Sequence, residues 1–159
     1  MKIFVIGNSG VGKTPLSKEI ENRYGFKYIS ASRKIKTLIP SKILTLKKID
    51  RKKYTNEITA FSLSLLRKDP FIIINDLRME DNVVIDGIRN PRDFINLFNP
   101  NKDKVVFVSK EKTEIKSTIF EKGIIVIKEY IKWLEENNLL ENKSIYIDNI
   151  YPKEMKWYI

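Results

Sequence analysis

Short unbroken apolar runs alternate along this chain with longer stretches in which apolar residues recur every three or four positions. The runs read as strands buried on both faces, and the stretches between them as amphipathic helices. Lys2–Ile6 is the first strand and closes at a glycine. From Gly12 to Tyr24, Leu16, Ile20 and Tyr24 fall at i, i+4 and i+8, one stripe of a helix. Pro15 sits in its first turn, where a missing N–H costs nothing. Gly25 then stops it. Phe26–Ile29 is a second strand, followed by a helix over Ser30–Ile39 that ends at Pro40. Ser41–Lys53 is basic and weakly patterned, a helix or a mobile flap. Tyr54–Arg67 is a helix with Ile58, Phe61 and Leu65 on one face. Asp69-Pro70 reads as the cap and first residue of another helix through Leu77. Asn82–Ile85 is a third strand ending at Asp86-Gly87, Asn90-Pro91 opens a helix, and Lys104–Val108 is a fourth strand. Thr113–Leu140 is helical with a break at Gly123, and Ser144–Ile147 is a fifth strand. The pattern predicts one α/β domain over residues 1–159 with a parallel sheet.

Composition narrows the chemistry. No stretch approaches the ~20 apolar residues of a membrane span, and the first apolar run is too short for a signal peptide. There is no cysteine and no histidine, which excludes disulfides, thiolate metal sites and the usual general base. A cytoplasmic, reducing setting is the expectation. The net charge of +10 fits either a polyanionic partner, nucleic acid or nucleotide, or simply a soluble lysine-rich surface. All arginines precede position 93, and every later basic residue is lysine.

The first strand and helix are joined by Gly7-Asn8-Ser9-Gly10-Val11-Gly12-Lys13-Thr14, which fits G-x-x-x-x-G-K-[ST] at every fixed position. Glycines let the backbone turn its N–H groups inward as an anion nest. The helix that follows points its positive end at the same place. Lys13 supplies charge to the outer phosphates of a nucleoside triphosphate, and the Thr14 hydroxyl completes a Mg²⁺ site. The preceding strand and following helix are the context this motif requires.

Val83-Val84-Ile85-Asp86-Gly87-Ile88-Arg89 is the second informative stretch. It puts Asp86 at the C-terminal edge of the sheet, where open α/β sheets bind ligands. An acid there holds the water shell of Mg²⁺, and Arg89 offers a planar fork to phosphate.

Together, Gly7–Thr14, Tyr24-Gly25-Phe26-Lys27-Tyr28-Ile29-Ser30, Lys36 and Asp86-Gly87-Ile88-Arg89 resemble the P-loop nucleoside monophosphate kinases, adenylate-kinase-like in pattern. The form D-G-I-R-N-P, with Arg67-Lys68-Asp69-Pro70 upstream, is similar to viral deoxynucleoside monophosphate kinases and dephospho-coenzyme-A-kinase-like proteins. The resemblance covers residues 1–95 at motif level. It implies a three-layer fold with a five-stranded parallel sheet in the order 2-3-1-4-5 and helices on both faces. It also implies an acceptor-binding helical insertion near 31–77 and a short lid near 109–123. Lys13, Asp86 and Arg89 then carry catalysis. Ser30, Arg33, Lys36, Arg89 and Arg92 face the acceptor. The lid segment holds Lys110, Lys112 and Lys116 but no arginine, where the family places arginines over the transferring group. Lysine neutralises charge without the bidentate contact, and a late-supplied arginine is worth ~10³–10⁵ in rate in related transfers. Ile88 stands where the family has proline.

The resulting expectation is a phosphotransferase that uses ATP and Mg²⁺ to phosphorylate a nucleoside or deoxynucleoside monophosphate. Two alternatives stay open. One is a kinase for a larger acceptor, dephospho-coenzyme A or a nucleic-acid end, motivated by the basic residues of 47–53. The other is a nucleotide-binding regulatory protein with weak catalysis, motivated by the arginine-free lid. Trp133 and Tyr130 read as helix packing, and Trp157 and Tyr158 as a seal on the sheet end.

Overall fold

β1 (Lys2–Gly7) is covered on both faces, and its alternating side chains divide between two layers of core. Ile3 and Val5 join Leu16 and Ile20 of α1 (Lys13–Tyr24) in one apolar cluster that also takes in Val11, Phe26, Val84, Val106 and Val108. Phe4 points the other way. Its ring lies 5.1 Å from Phe94 and 6.0 Å from Phe98, on and just past α6 (Pro91–Leu97). Phe94 in turn meets Tyr130 at 5.0 Å and Trp133 at 5.9 Å. Trp133 and Tyr130 are therefore packing residues, as their helical spacing suggests. Each fully buried aromatic or branched side chain here contributes roughly 1.5–3 kcal/mol.

The computed structural model describes residues 1–7, 11–88, 90–109, 130, 132–139 and 143–147. They form two compact units, Met1–Ile29 with Asp81–Ile159, and Ser30–Glu80. In the first, β1 pairs in parallel with β3 (Val83–Asp86) in the register Lys2↔Val83 to Val5↔Asp86. On its other side it pairs in parallel with β4 (Lys104–Ser109), Ile3↔Lys104 to Gly7↔Val108. β4 pairs in parallel with β5 (Lys143–Ile147), and with β2 (Lys27–Ser30) the order across the sheet is β2-β3-β1-β4-β5. The α/β class with a parallel sheet is thus the one the apolar runs predict. Asp103 ties the first turn of this sheet together: its carboxylate accepts the Lys2 N–H at 2.7 Å and the Asn99 N–H at 2.9 Å, while being fully buried.

The second unit holds α2 (Ala31–Leu38), α3 (Ser41–Ile49), α4 (Arg51–Lys68) and the short α5 (Asn75–Arg78). Among the described residues, its buried ones are Ala31, Ile39, Ile43, Ile73, Ile74 and Leu77. The predicted stripe Ile58, Phe61 and Leu65 of α4 is half-buried. Lys34 pairs with Asp76, and the Arg78 guanidinium lies 5.1 Å from the Phe71 ring centroid.

The basic segment after Ser41 takes the helical alternative, with a break at Asp50, whose side chain accepts the Lys53 N–H at 2.9 Å and starts α4 three residues before Tyr54. Two local expectations are corrected. Asp69-Pro70 does not open a long helix. Asp69 Oδ1 accepts the Phe71 N–H at 2.9 Å, the chain turns through 70–74, and only Asn75–Arg78 is helical. Tyr24 does not continue the Leu16–Ile20 stripe inward but is 40% exposed, because α1 ends there against Gly25. Most of the predicted helix Thr113–Leu140, the break at Gly123, and Trp157 and Tyr158 lie outside the described residues. Among the described residues, no helix is long and apolar enough to cross a membrane.

Candidate functional site

The site is built where β1 gives way to α1. Gly7 ends the strand against β4 so closely that a Cβ would stand 2.3 Å from the Val108 carbonyl oxygen and 3.0 Å from Val11 Cγ2. Backbone cannot yield as a flexible side chain can, so Gly7→Ala is expected to cost ~1–3 kcal/mol. Urea unfolding measures this directly; an unchanged midpoint would show that β4 moves aside freely.

Beyond the loop, Val11 is buried in the core cluster and anchors the return of the chain. Gly12 is the N-cap of α1 at φ 96°, ψ 18°, in the left-handed region that side chains other than glycine rarely adopt. Leu16 donates its N–H to the Gly12 carbonyl at 3.2 Å, so the helix proper begins at Lys13. Lys13 and Thr14 occupy its first turn, Pro15 follows, and no acidic residue stands among them. Within the first turn of α1 itself no acid offsets the positive end of the helix dipole. That is the electrostatic setting in which helix N-termini hold phosphate.

Asp86 reaches the same place from β3. It ends that strand beside Val5 of β1 and is 3% exposed. Its Oδ2 accepts two hydroxyl hydrogen bonds, from Thr14 Oγ1 at 2.9 Å and from Tyr28 OH at 2.9 Å. Bonds to an ionised acceptor are the strong class, and two of them fix the orientation of this carboxylate. The fold therefore brings together Gly7, Val11, Gly12, Thr14 and Asp86, with Lys13 in the same first turn.

These donors suit Mg²⁺. A hydroxyl and a buried carboxylate are hard oxygen ligands, and Mg²⁺ commonly takes one or two such groups, keeps water, and completes its shell from phosphate oxygens. Among the described residues no cluster of three His, Cys, Asp or Glu forms an all-protein cage. Thr14 directly and Asp86 through water are the groups that would hold the ion.

Tyr28 is a residue at this site that local patterns did not single out. Its ring packs on the core cluster while its hydroxyl reaches Asp86, and its N–H donates to Glu21 Oε1 at 3.0 Å. The available signal was an aromatic with a polar tip in a short strand beside the phosphate-loop helix. A Tyr28→Phe, Asp86→Asn double-mutant cycle on unfolding free energy is expected to give a coupling of ~0.5–3 kcal/mol. Strict additivity would mean that the two groups do not support one another.

The remaining predicted residues are placed as follows. Asn8, Ser9, Gly10, Arg89, Lys110, Lys112 and Lys116 lie outside the described residues. Ser30 is the N-cap of α2 in the second unit, and Arg33 and Lys36 are exposed on that helix. Arg92 is exposed in the first turn of α6, its N–H donating to Asn90 Oδ1 at 3.1 Å. Next to it, burial pushes the Asp93 carboxyl up, and the Arg92 charge partly offsets this.

No protein-family profile matches the chain, and no curated protein does. Among solved structures it is similar to a shikimate kinase from Aquifex aeolicus, at 19% identity over 87% of this chain and 99% of that one, with a TM-score of 0.45. A shikimate kinase from Bacteroides thetaiotaomicron is similar at 14% identity over 92% and 85%, with a TM-score of 0.42. A dephospho-CoA kinase from Campylobacter jejuni is similar at 18% identity over 93% and 89%, also with a TM-score of 0.42.

Proposed function

We propose that the protein is a phosphotransferase that moves the terminal phosphoryl group of ATP to a small phosphorylated acceptor, a nucleoside or deoxynucleoside monophosphate. The observation that supports this most is the bond between Thr14 Oγ1 and Asp86 Oδ2 at 2.9 Å, at the N-terminus of a helix opened by a left-handed glycine. A hydroxyl and a carboxylate separated by 72 residues meet where the helix dipole and Lys13 favour phosphate.

In this reading the loop Gly7–Thr14 cradles the triphosphate and Lys13 neutralises its outer oxygens. Mg²⁺, when bound, shields charge on the reacting phosphates. Asp86, held by Tyr28, keeps the Thr14 side of the site oriented. An acceptor phosphate oxygen attacks the γ-phosphorus in line, the bond to the bridging oxygen breaks, and ADP leaves. Such an acceptor is already ionised near neutral pH. Positioning and charge neutralisation then do the work that a general base does elsewhere, and a chain without histidine suffices. We assign Ser30, Arg33, Lys36, Arg89 and Arg92 to the acceptor phosphate, and Lys110, Lys112 and Lys116 to the lid.

A coupled assay of ADP release tests this with AMP, GMP, CMP, UMP, TMP, the deoxy forms and dephospho-coenzyme A as acceptors. Stimulation by one or a few monophosphates is the expected result. Stimulation by dephospho-coenzyme A alone would move the acceptor to the larger class. Tight ATP binding with no stimulation by any acceptor would make the protein a nucleotide-binding regulator instead.

A further inference from the structure

α3 and α4 meet at Asp50, and Lys47, Lys48, Arg51, Lys52 and Lys53 lie within one helical turn of it, all exposed. Among the described residues none of these five side chains has a carboxylate within ion-pair distance. Elsewhere on the described surface cations do find partners: Arg23 with Glu19, Lys34 with Asp76, Lys102 with Asp81, and Lys132 with Glu136. Asp50 itself is turned to the backbone, capping α4 through the Lys53 N–H.

The placement works against the stability of the fold. Lys47 and Lys48 close α3, where cations are favoured. Arg51, Lys52 and Lys53 instead open α4, whose first turn carries no acid. A helix N-terminus disfavours positive charge, and the two lysines of α3 add like-charge repulsion. Stability alone would put acids at these positions.

We propose that the α3–α4 corner binds a strand of nucleic acid through its phosphates. A line of phosphates neutralises cations that have no carboxylate partner among the described residues, and the net charge of +10 draws a polyanion from a distance. A lipid surface fits less well. Leu44 and Ile49, and Leu63 on α4, are exposed aliphatics, but the apolar stripe of α4 (Ile58, Phe61, Leu65) is half-buried. That leaves no continuous apolar face to sink into a bilayer.

The test is fluorescence anisotropy of a fluorescein-labelled single-stranded DNA oligonucleotide over a salt series. Two variants remove equal charge from the two ends of one helix, Arg51→Ala with Lys52→Ala and Arg67→Ala with Lys68→Ala. The wild type is expected to bind with strong salt dependence. The corner variant should bind about tenfold more weakly at low salt, with a log–log salt slope shallower by ~1.4 for two lost phosphate contacts. The far-end variant should stay within about twofold of wild type, and the corner variant should melt no lower than wild type because a dipole conflict is relieved. Lys47→Ala with Lys48→Ala gives the same reading from α3. Absence of wild-type binding at low salt, equal losses in both end variants, or binding to phosphatidylserine vesicles but not to the oligonucleotide would each overturn the proposal.

Discussion

Replacing Lys13 with alanine is expected to reduce turnover by ~10²–10³-fold, the scale on which removing one preorganised charge stabiliser slows a reaction. Lys13 opens α1 beside Gly12, in a first turn that carries no other charge. In the proposed site the helix end would supply partial positive charge to the inner phosphates, but only a full cation follows charge as it builds on the outermost one. Lys13 is half-buried and lies outside the core cluster, so the variant should melt close to wild type. ATP affinity by calorimetry should fall as well. If turnover survives Lys13→Ala within a fewfold, the loop is not where the reacting phosphate sits.

The second large effect is expected from Asp86→Asn. The amide keeps the size of the side chain and an oxygen to accept from Thr14 or Tyr28, but it removes the charge that, in the proposed site, would retain a metal shell. Turnover at saturating ATP should fall by ~10²-fold or more, and the loss should be concentrated in Mg²⁺ dependence. Nucleotide binding measured without Mg²⁺ should change little, since the loop and Lys13 remain. Asp86→Ala should in addition destabilise by ~1–3 kcal/mol, because two hydroxyls 2.9 Å from the carboxylate lose their acceptor. Equal Mg²⁺ requirements in wild type and Asp86→Asn would remove Asp86 from the metal site.

Much of this was legible from local signals. Gly12, Lys13 and Thr14 declare themselves by spacing, and Gly25 and Asn90-Pro91 end and begin helices as glycine and a capping asparagine do. The strand Val83–Asp86 follows from an apolar run that stops at a charge. What the chain did not disclose is tertiary. The Tyr28–Asp86 bond joins residues 58 apart, and no periodicity in either strand announces it. Gly7 looked like a loop residue, whereas its constraint comes from Val108 on a neighbouring strand. The misreading at Asp69-Pro70 has a physical cause. An aspartate before proline can cap a helix or close a tight turn on the residue two ahead, and adjacent buried Ile73 and Ile74 suit a turn better than a helical stripe. The same ambiguity hid the α3–α4 break, where Asp50 in a run of lysines is a cap and not a counter-charge.

The phosphate that the proposed loop site holds is expected to leave for an acceptor. Following the label of [γ-³²P]ATP through a single turnover, with Mg²⁺ and a monophosphate that stimulates ADP release, tests it most directly. Label is expected in the corresponding diphosphate, with little in inorganic phosphate, and Lys13→Ala is expected to abolish the transfer. Label that stays on ATP, or that passes only to water whichever acceptor is supplied, would contradict it.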